Sequence, residues 1–303
     1  MKPFDIQING YAGVDFCSNE LDATQLHHAC EKLIADGVDS ILATVITDTI
    51  ENLCAKLTRL VRLREADSLA SKLIMGLHIE GPFLNPTAGY IGAHQPELVQ
   101  PANVEDAKRL LEASDGLARL VTLAPECDDN CATTKFLVEQ AITVSAGHCN
   151  PSRDQLLAAI DNGLSMVTHF GNGCPLELPR HDNFLNRALS LRDQLWFCFI
   201  PDGAHIEFFA LKNYLDLVGL DRTIMVTDAI SAATLGPGRH EISGMVVEVD
   251  AKGVARKPGF LNLAGSTITL PEIQKNLAER LHFTQREIEL VVDTNPRKAL
   301  RLL

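Results

Sequence analysis

Four polar residues follow short apolar runs at places where strands would end, and their side chains are those of a hydrolytic metal site. Glu80 ends the apolar run 73–80, and three more come one or two residues after later runs: His148, His169 and Asp228. One carboxylate and two imidazoles are typical ligands of catalytic zinc, because they leave a position open for water. A bound ion lowers the pKa of that water. Asp228 could then take the proton and return it to a leaving amine.

The four side chains would meet only if the fold brings the ends of their runs together. Eight short apolar runs alternate with longer amphipathic stretches: 4–9, 40–45, 73–80, 118–124, 142–146, 165–168, 195–200 and 223–227. This alternation predicts parallel βα units, and eight units predict a (β/α)₈ TIM-type barrel. The carboxyl ends of barrel strands face one cavity. A histidine at a strand end, taken alone, is more often a satisfied core or loop residue than a metal ligand, so the metal-site hypothesis depends on their shared position.

Local signals support the helices between these runs and an insertion near the end. The stretch 22–36 has its apolar residues on one face and stops at Gly37. Ser152 and Gln155 form a capping-box pattern, and Pro271 is typical of a first helical turn. The segment 236–263 is rich in glycine and alternates at 245–249, which predicts a small β-hairpin insertion after the eighth strand, at the mouth of the barrel.

Composition excludes several classes of partner. The chain has 303 residues, 46% of them apolar, and a formal net charge of −12 with no cluster of lysine or arginine. That balance argues against nucleic acid and against a membrane surface. No stretch of 18 apolar residues predicts a membrane span, and the N-terminus has no secretion signal. Eight scattered cysteines without a CxxC pair favour reduced thiols and a cytoplasmic location.

Several short motifs add a family resemblance. His78-Ile79-Glu80-Gly81-Pro82 followed by Gly92-Ala93-His94 resembles the HLEGP…GAH segment of the N-acetylglucosamine-6-phosphate deacetylases, which belong to the amidohydrolase superfamily. Further matches follow the family's order over nearly the whole chain: Asp5-Ile6-Gln7-Ile8-Asn9-Gly10, Leu123-Ala124-Pro125-Glu126, Ala146-Gly147-His148, Thr168-His169, Asp202-Gly203-Ala204-His205, Val226-Thr227-Asp228-Ala229, Ala264-Gly265-Ser266-Thr267 and Asn295-Pro296-Arg297-Lys298-Ala299. Each motif is weak alone, and the ordered set is specific.

The resemblance implies a function for each matching residue. It implies hydrolysis of the acetyl amide of an amino-sugar phosphate, with N-acetylglucosamine 6-phosphate giving glucosamine 6-phosphate and acetate. The implied metal ligands are Glu80, His148 and His169, and Asp228 is the implied general base and acid. His205 would stabilise the oxyanion at the acetyl carbonyl. The implied substrate contacts are His94, Asn172, Gly173 and, on the phosphate of a neighbouring subunit's substrate, Arg180. That last contact implies a homodimer. Arg180 is equally typical of a solvated loop charge.

The first strand bears on the number of metal ions. Many amidohydrolases carry His-x-His there and bind two ions, whereas this chain has Gln7-Ile8-Asn9. Neutral amides are poor zinc ligands beside imidazole and carboxylate. We therefore expect one divalent ion, with zinc favoured over iron or another metal, and Gln7 near the site or its substrate.

Three departures from the family bear on domains and substrate. Members usually carry a small β-sandwich built from both chain ends, and neither half is present, so residues 1–303 are expected to form a single barrel domain. Asn172-Gly173-Cys174 replaces the usual Asn-Ala-Met, and the segment 178–183 replaces a glycine-rich loop. These changes leave open another N-acyl sugar, an N-acyl amino acid or a cyclic amide as substrate. A barrel that binds sugar phosphate without catalysis is the third alternative, disfavoured by the four site residues together.

Overall fold

The computed structural model describes residues 2–242, 244–259 and 262–303, and they confirm the predicted barrel. Eight parallel strands follow one another around the sheet in chain order. Each lies within two residues of its predicted bounds: β1 Phe4–Ile8, β2 Ser40–Ile46, β3 Ile74–Glu80, β4 Ala118–Leu123, β5 Thr143–Ala146, β6 Met166–Val167, β7 Trp196–Phe199 and β8 Thr223–Met225.

The ring is closed by the residues that directly follow β8. The N–H of Asp228 donates to the Gln7 carbonyl at 2.9 Å, and the N–H of Asn9 donates to the Ala229 carbonyl at 2.7 Å. Below these bonds, the Thr227 hydroxyl donates to the buried carboxyl group of Asp5 at 2.5 Å. Since closure pairs β1 with residues 227–229, it places the first strand beside Asp228.

Helices cover the outside of the barrel, as the sequence predicted. α1 begins at a capping box between Asp22 and Gln25, and α6 begins at the predicted one between Ser152 and Gln155. The helices are α1 Ala23–Ala35, α2 Ile50–Ala66, α3 Ser68–Leu73, α4 Val104–Ala113, α5 Ala132–Glu139, α6 Arg153–Asp161, α7 Phe184–Leu189, α8 Phe208–Val218, α9 Leu270–Arg280, α10 Gln285–Glu289 and α11 Asn295–Ala299. A π-helical turn, Leu290–Thr294, joins the last two.

The predicted insertion after the eighth strand is an antiparallel sheet of three strands: β9 Gly238–Ile242, β10 Met245–Val249 and β11 Ala255–Arg256. Its inner face packs Val247, Val249 and Ala255 against Ile230 and Ala264, which makes a small apolar core separate from the main one. This core fixes the insertion over the carboxyl ends of the barrel strands.

Inside the barrel, a chain of polar groups lies below the end of β3. The Nε2 atom of His78 is 2.8 Å from the Thr122 hydroxyl, which is 2.8 Å from the Thr168 hydroxyl. Burial lowers the pKa of His78 to about 4, so its ring is neutral. Elsewhere, none of the eight cysteines forms a disulfide with another described residue. Every helix of the described residues is too short or too polar to cross a lipid bilayer.

Candidate active site

Three predicted metal ligands meet at the carboxyl end of the barrel. Oε1 of Glu80 lies 3.3 Å from Nε2 of His148 and 3.1 Å from Nε2 of His169, and the two nitrogens are 3.1 Å apart. All three side chains are buried. The tertiary structure therefore brings together three potential ligand atoms from three different strand ends.

This triangle fits a tetrahedral metal ion. Ligand atoms held about 2.05 Å from such an ion stand about 3.3 Å from one another, close to the three observed distances. Nδ1 of His148 is 2.8 Å from the Tyr90 carbonyl, which can only accept, so Nδ1 carries the proton and a neutral ring turns its Nε2 lone pair inward. The donor set is therefore able to hold a divalent ion.

Charge within the triangle is balanced between the carboxylate and the imidazoles. Burial would raise the pKa of Glu80, but the close contacts of its carboxylate with the His148 and His169 rings hold that pKa well below its usual range. Burial would lower the pKa of His169, and the bond to Glu80 raises it above its ordinary value instead. Glu80 is therefore ionised, as a metal ligand must be.

The backbone turns sharply at the residues that follow the strands. His148, His169 and Asp228 have φ values of 49°, 28° and 48°, in the left-handed region that costs a residue with a side chain about 1–3 kcal/mol. All three side chains line the cavity at the barrel mouth. Gly92 also has a positive φ, and a Cβ there would stand 2.7 Å from the His148 ring, so the Gly92-Ala93-His94 loop can pack against that ring only with glycine.

Asp228 lies beside the triangle and is held by two amides from β1 and its end. Nδ2 of Asn9 donates to Oδ1 of Asp228 at 2.6 Å, and Nε2 of Gln7 donates to the same oxygen at 3.3 Å. Gln7 also donates to Oε2 of Glu80 at 3.2 Å. Burial and the nearby charge of Glu80 raise the pKa of Asp228 to about 6. Asp228 is thus a carboxyl group that can exchange a proton near neutral pH.

A cavity of about 530 Å³ opens above these groups, between the barrel mouth and the inserted sheet. Most of the predicted substrate residues line it: His94, Asn172, Gly173 and His205. His94 packs against the triangle, with its Nε2 3.2 Å from Nε2 of His148. Burial and the neighbouring His148 lower the pKa of His94 to about 3, so its ring is neutral.

Two predicted substrate contacts lie away from the cavity wall. Gln7 is buried beneath it and uses its amide to join Glu80 to Asp228, whereas Asn9 lines the cavity. Arg180 is exposed on the loop after β6, and among the described residues it has no hydrogen bond or ion pair. Its guanidinium is therefore available to a group outside this chain.

Sequence reasoning missed two charged residues of the site. Arg256, on β11, is the only lysine or arginine among the described residues that line the cavity. Nothing in the local sequence places it there, because its position depends on how the insertion docks. Asp202 is bound to His205 at 2.6 Å, and the Asp-Gly-x-His spacing could have revealed it.

Comparisons with known proteins identify relatives of this chain. No family model matches the chain. Among curated relatives, N-acetylglucosamine-6-phosphate deacetylase of Bacillus subtilis is 30% identical over 98% of this chain and 74% of its own length. N-acetylgalactosamine-6-phosphate deacetylase of Escherichia coli O157:H7 is 28% identical over 98% of this chain and 76% of its own length.

A solved structure of a deacetylase has the same fold as this chain. N-acetyl-D-glucosamine-6-phosphate deacetylase from Mycobacterium smegmatis, a mutant in complex with N-acetyl-D-glucosamine-6-phosphate, superposes with a TM-score of 0.88 and 28% identity. The match covers 99% of this chain and 77% of that one. The barrel, the cavity and the relatives lead to one conclusion: this chain belongs to the N-acetylglucosamine-6-phosphate deacetylase family of amidohydrolases.

Proposed function

We propose that the protein hydrolyses the acetyl amide of N-acetylglucosamine 6-phosphate, releasing acetate and glucosamine 6-phosphate. The observation that carries the proposal is the buried triangle of Glu80, His148 and His169 with Asp228 beside it. The printed activities of the relatives support the same reaction. Catalysis is favoured over simple binding because four groups suited to hydrolysis face one cavity.

Glu80, His148 and His169 would hold one divalent ion, for which zinc is the expected metal. When bound, the ion polarises the acetyl carbonyl and makes water acidic enough to act near neutral pH. Gln7 contributes by holding the carboxylates of Glu80 and Asp228 next to each other, since its amide donates to both.

Asp228 is the proton carrier of the proposed reaction. Its carboxylate accepts a proton from the attacking water as the water oxygen bonds to the acetyl carbon. When the C–N bond breaks, Asp228 returns that proton to the sugar nitrogen, which leaves as the amine. A pKa near 6 suits both halves of this exchange. His205 donates a hydrogen bond to the carbonyl oxygen as negative charge develops there.

The substrate is held by groups around the rim of the cavity. His94, Asn172 and Gly173 contact the sugar, and Arg180 reaches the phosphate of the substrate bound to the partner subunit of a homodimer. A guanidinium binds phosphate through two parallel hydrogen bonds. The exposed position of Arg180, which pairs with none of the described residues, supports this assignment. Eight cysteines without a disulfide among the described residues favour a cytoplasmic location.

The test is acetate release from four substrates in the presence of zinc: N-acetylglucosamine and N-acetylgalactosamine, each with and without the 6-phosphate. The second sugar is included because the relative from Escherichia coli O157:H7 is named for its phosphate. We expect the highest kcat/KM for N-acetylglucosamine 6-phosphate. Absence of acetate from all four would contradict the proposal.

Arg180→Ala tests the phosphate contact and the dimer together. The variant should raise KM for the phosphorylated sugar by about tenfold or more while leaving the free sugar unchanged, because only the phosphate pairs with the guanidinium. Arg192→Ala, outside the cavity lining, is the control. Equal effects of Arg180→Ala on both sugars would exclude the phosphate contact.

A further inference from the structure

The carboxyl group of Glu126 takes no part in the proposed reaction, yet it joins two loops at the carboxyl end of the barrel. Glu126 lies on the turn Pro125–Cys127 that follows β4, outside the cavity lining. Its Oε1 atom accepts two hydrogen bonds, one from the side-chain amide of Asn85 at 2.8 Å and one from the backbone N–H of Asn150. One oxygen atom thus connects the loop after β3 to the loop after β5.

These hydrogen bonds hold the turn that carries His148. Before this residue, the N–H of Gly147 donates to the carbonyl of Leu123, at the end of β4, at 3.2 Å. After it, the His148 carbonyl accepts the N–H of Asn85 at 3.0 Å, and the N–H of Asn150 is bound by the carboxyl oxygen. The backbone on both sides of this proposed metal ligand is therefore fixed to neighbouring loops.

His148 needs such support because its backbone is strained. Its φ of 49° lies in the left-handed region, which costs about 1–3 kcal/mol and persists only where the surroundings enforce it. The His148 ring is bound in turn by the carbonyl of Tyr90, in the same loop as Asn85. Loss of the bonds to Glu126 would therefore loosen both the turn and the loop that orients the ring.

Arg187, on α7, binds the same turn through other atoms. Its Nη1 donates to Oδ1 of Asn150 and to the carbonyl of Pro151, both at 2.9 Å, and the side chain is 15% exposed. Burial raises the pKa of Glu126, and the hydrogen bonds from Asn150 and Asn85 and the charge of Arg187 oppose this rise. Asn150 is thus held at its backbone by Glu126 and at its side chain by Arg187.

Packing alone does not account for a carboxyl group at this position. Oε2 of Glu126 is buried, and among the described residues it has no hydrogen-bond partner. A buried polar atom left without a partner costs about 1–3 kcal/mol. The contribution of this side chain must therefore come from Oε1 and the two N–H groups that it accepts.

We propose that Glu126 is a positioning residue that holds the strained turn of His148, so that Nε2 of His148 stands in the triangle before the metal ion binds. This inference rests on the proposed function and deepens it, because it assigns a support to one of the three metal ligands. A ligand held in place in advance loses less conformational freedom when the ion binds. Outer supports of metal ligands are worth about 10–100-fold in affinity.

Zinc affinity, measured by competition with a chelator in the full chain, tests the proposal. We expect Glu126→Ala to weaken zinc binding by about tenfold to a hundredfold. Glu126→Gln should stay within about threefold of the wild type, because its amide oxygen can still accept both N–H groups. A loss in Glu126→Gln as large as that in Glu126→Ala would overturn the role assigned to Oε1.

The matched control is Asp128→Ala, two residues along the chain from Glu126. The buried carboxyl group of Asp128 accepts the backbone N–H groups of Thr133 and Thr134, at 2.9 and 2.7 Å, at the start of α5. The control should lose stability in urea and keep its zinc affinity, since neither N–H belongs to the turn of His148. Zinc affinity that is equally reduced in both variants, or unchanged in Glu126→Ala, would overturn the proposal.

A further variant decides the question if Glu126→Ala does not fold. Asn85→Ala removes one of the two donors to Oε1 and keeps the backbone bond from residue 85 to His148. We expect zinc binding to weaken by about threefold or more, and an affinity equal to that of the wild type would overturn the proposal. Acetate release is measured separately. If no sugar is deacetylated while these variants bind zinc weakly, the proposed function fails and the positioning role stands.

Discussion

Two Asp–His pairs in this protein have almost the same local geometry. In one, Oδ2 of Asp67 lies 2.6 Å from Nδ1 of His27, and Oδ1 accepts the N–H groups of Leu69 and Ala70. In the other, Asp202 binds His205 at the same distance and accepts two backbone N–H groups in the same way. Judged by hydrogen bonds alone, the two pairs are equivalent.

Their surroundings differ. The His27 side chain is 48% exposed and its Nε2 lies 3.6 Å from Glu31, whereas His205 is 6% exposed and lines the cavity. In water, ions and solvent screen the first pair, and its aspartate serves mainly as the N-cap of α3. The second pair lies at the cavity, where the His205 ring can contact a bound ligand. The comparison shows that the hydrogen-bond pattern of an Asp–His pair does not by itself decide whether the pair can act on a ligand. Its burial and the direction of the second ring nitrogen decide it.

The largest difference in bound metal and activity is expected between substitutions of a histidine inside the cavity and one outside it. His148→Ala should reduce bound metal from about one ion per chain to a small fraction and lower kcat/KM by more than about a thousandfold, since even indirect supports of a metal ligand are worth about 10–100-fold. His27→Ala should leave both unchanged. Metal analysis after dialysis measures the bound metal, and acetate release measures kcat/KM. Two tightly bound ions in the wild type would contradict our reading of Gln7 and Asn9.

Asp228→Asn tests whether an aspartate that faces the cavity acts through its proton. We expect kcat to fall by about a thousandfold, within the usual range for a general acid or base. Metal content should stay the same, since Asp228 is outside the triangle. If the variant stays active, a group other than Asp228 must carry the proton. The cavity aspartate would then have no catalytic role that a surface aspartate lacks.

Asp5 provides a buried carboxyl group with no histidine partner. It is 1% exposed, and burial raises its pKa to about 7 despite hydrogen bonds from Thr227 and backbone N–H groups. The native state therefore keeps a proton that the unfolded chain releases near pH 4. Wild-type stability should fall as pH rises from about 4 to 7 and level off above that, by a few kcal/mol in total.

Asp5→Asn should remove this pH dependence, because an amide does not titrate. Urea unfolding of both proteins between pH 4 and 8 gives the comparison. A wild-type stability that rises relative to the variant across this interval would show that Asp5 is ionised in the native state. The expected result sharpens the contrast with Asp202, whose histidine keeps its pKa low.

The smallest effect is expected at the surface pair. Asp67→Asn keeps a good helix cap and loses only a screened charge, so the unfolding midpoint should change by less than about 2 °C. Calorimetry at pH 5 and pH 9 measures it. Partnership with Asp67 raises the pKa of His27, so the small loss should be present at pH 5 and absent at pH 9. A larger loss at pH 9 would contradict this account.

Much of the fold could be predicted from local pattern. The eight apolar runs became the eight barrel strands, and the capping pattern at Ser152 begins α6 as expected. The chemistry-bearing residues could be predicted because barrel topology places every strand end at one mouth. Arg256 could not be predicted, since the insertion that carries it docks through side-chain packing with the barrel rim.

The amino-acid sequence by itself determined the order of strands and helices, the residue types at the strand ends, and the family. Periodicity and turn residues act over a few positions, so they can be read locally. Only the tertiary structure decided that Gln7 joins two carboxylates and that His94 packs against His148. It also decided which Asp–His pair faces the cavity. These facts depend on distances between residues far apart in the chain, which barrel closure and core packing set.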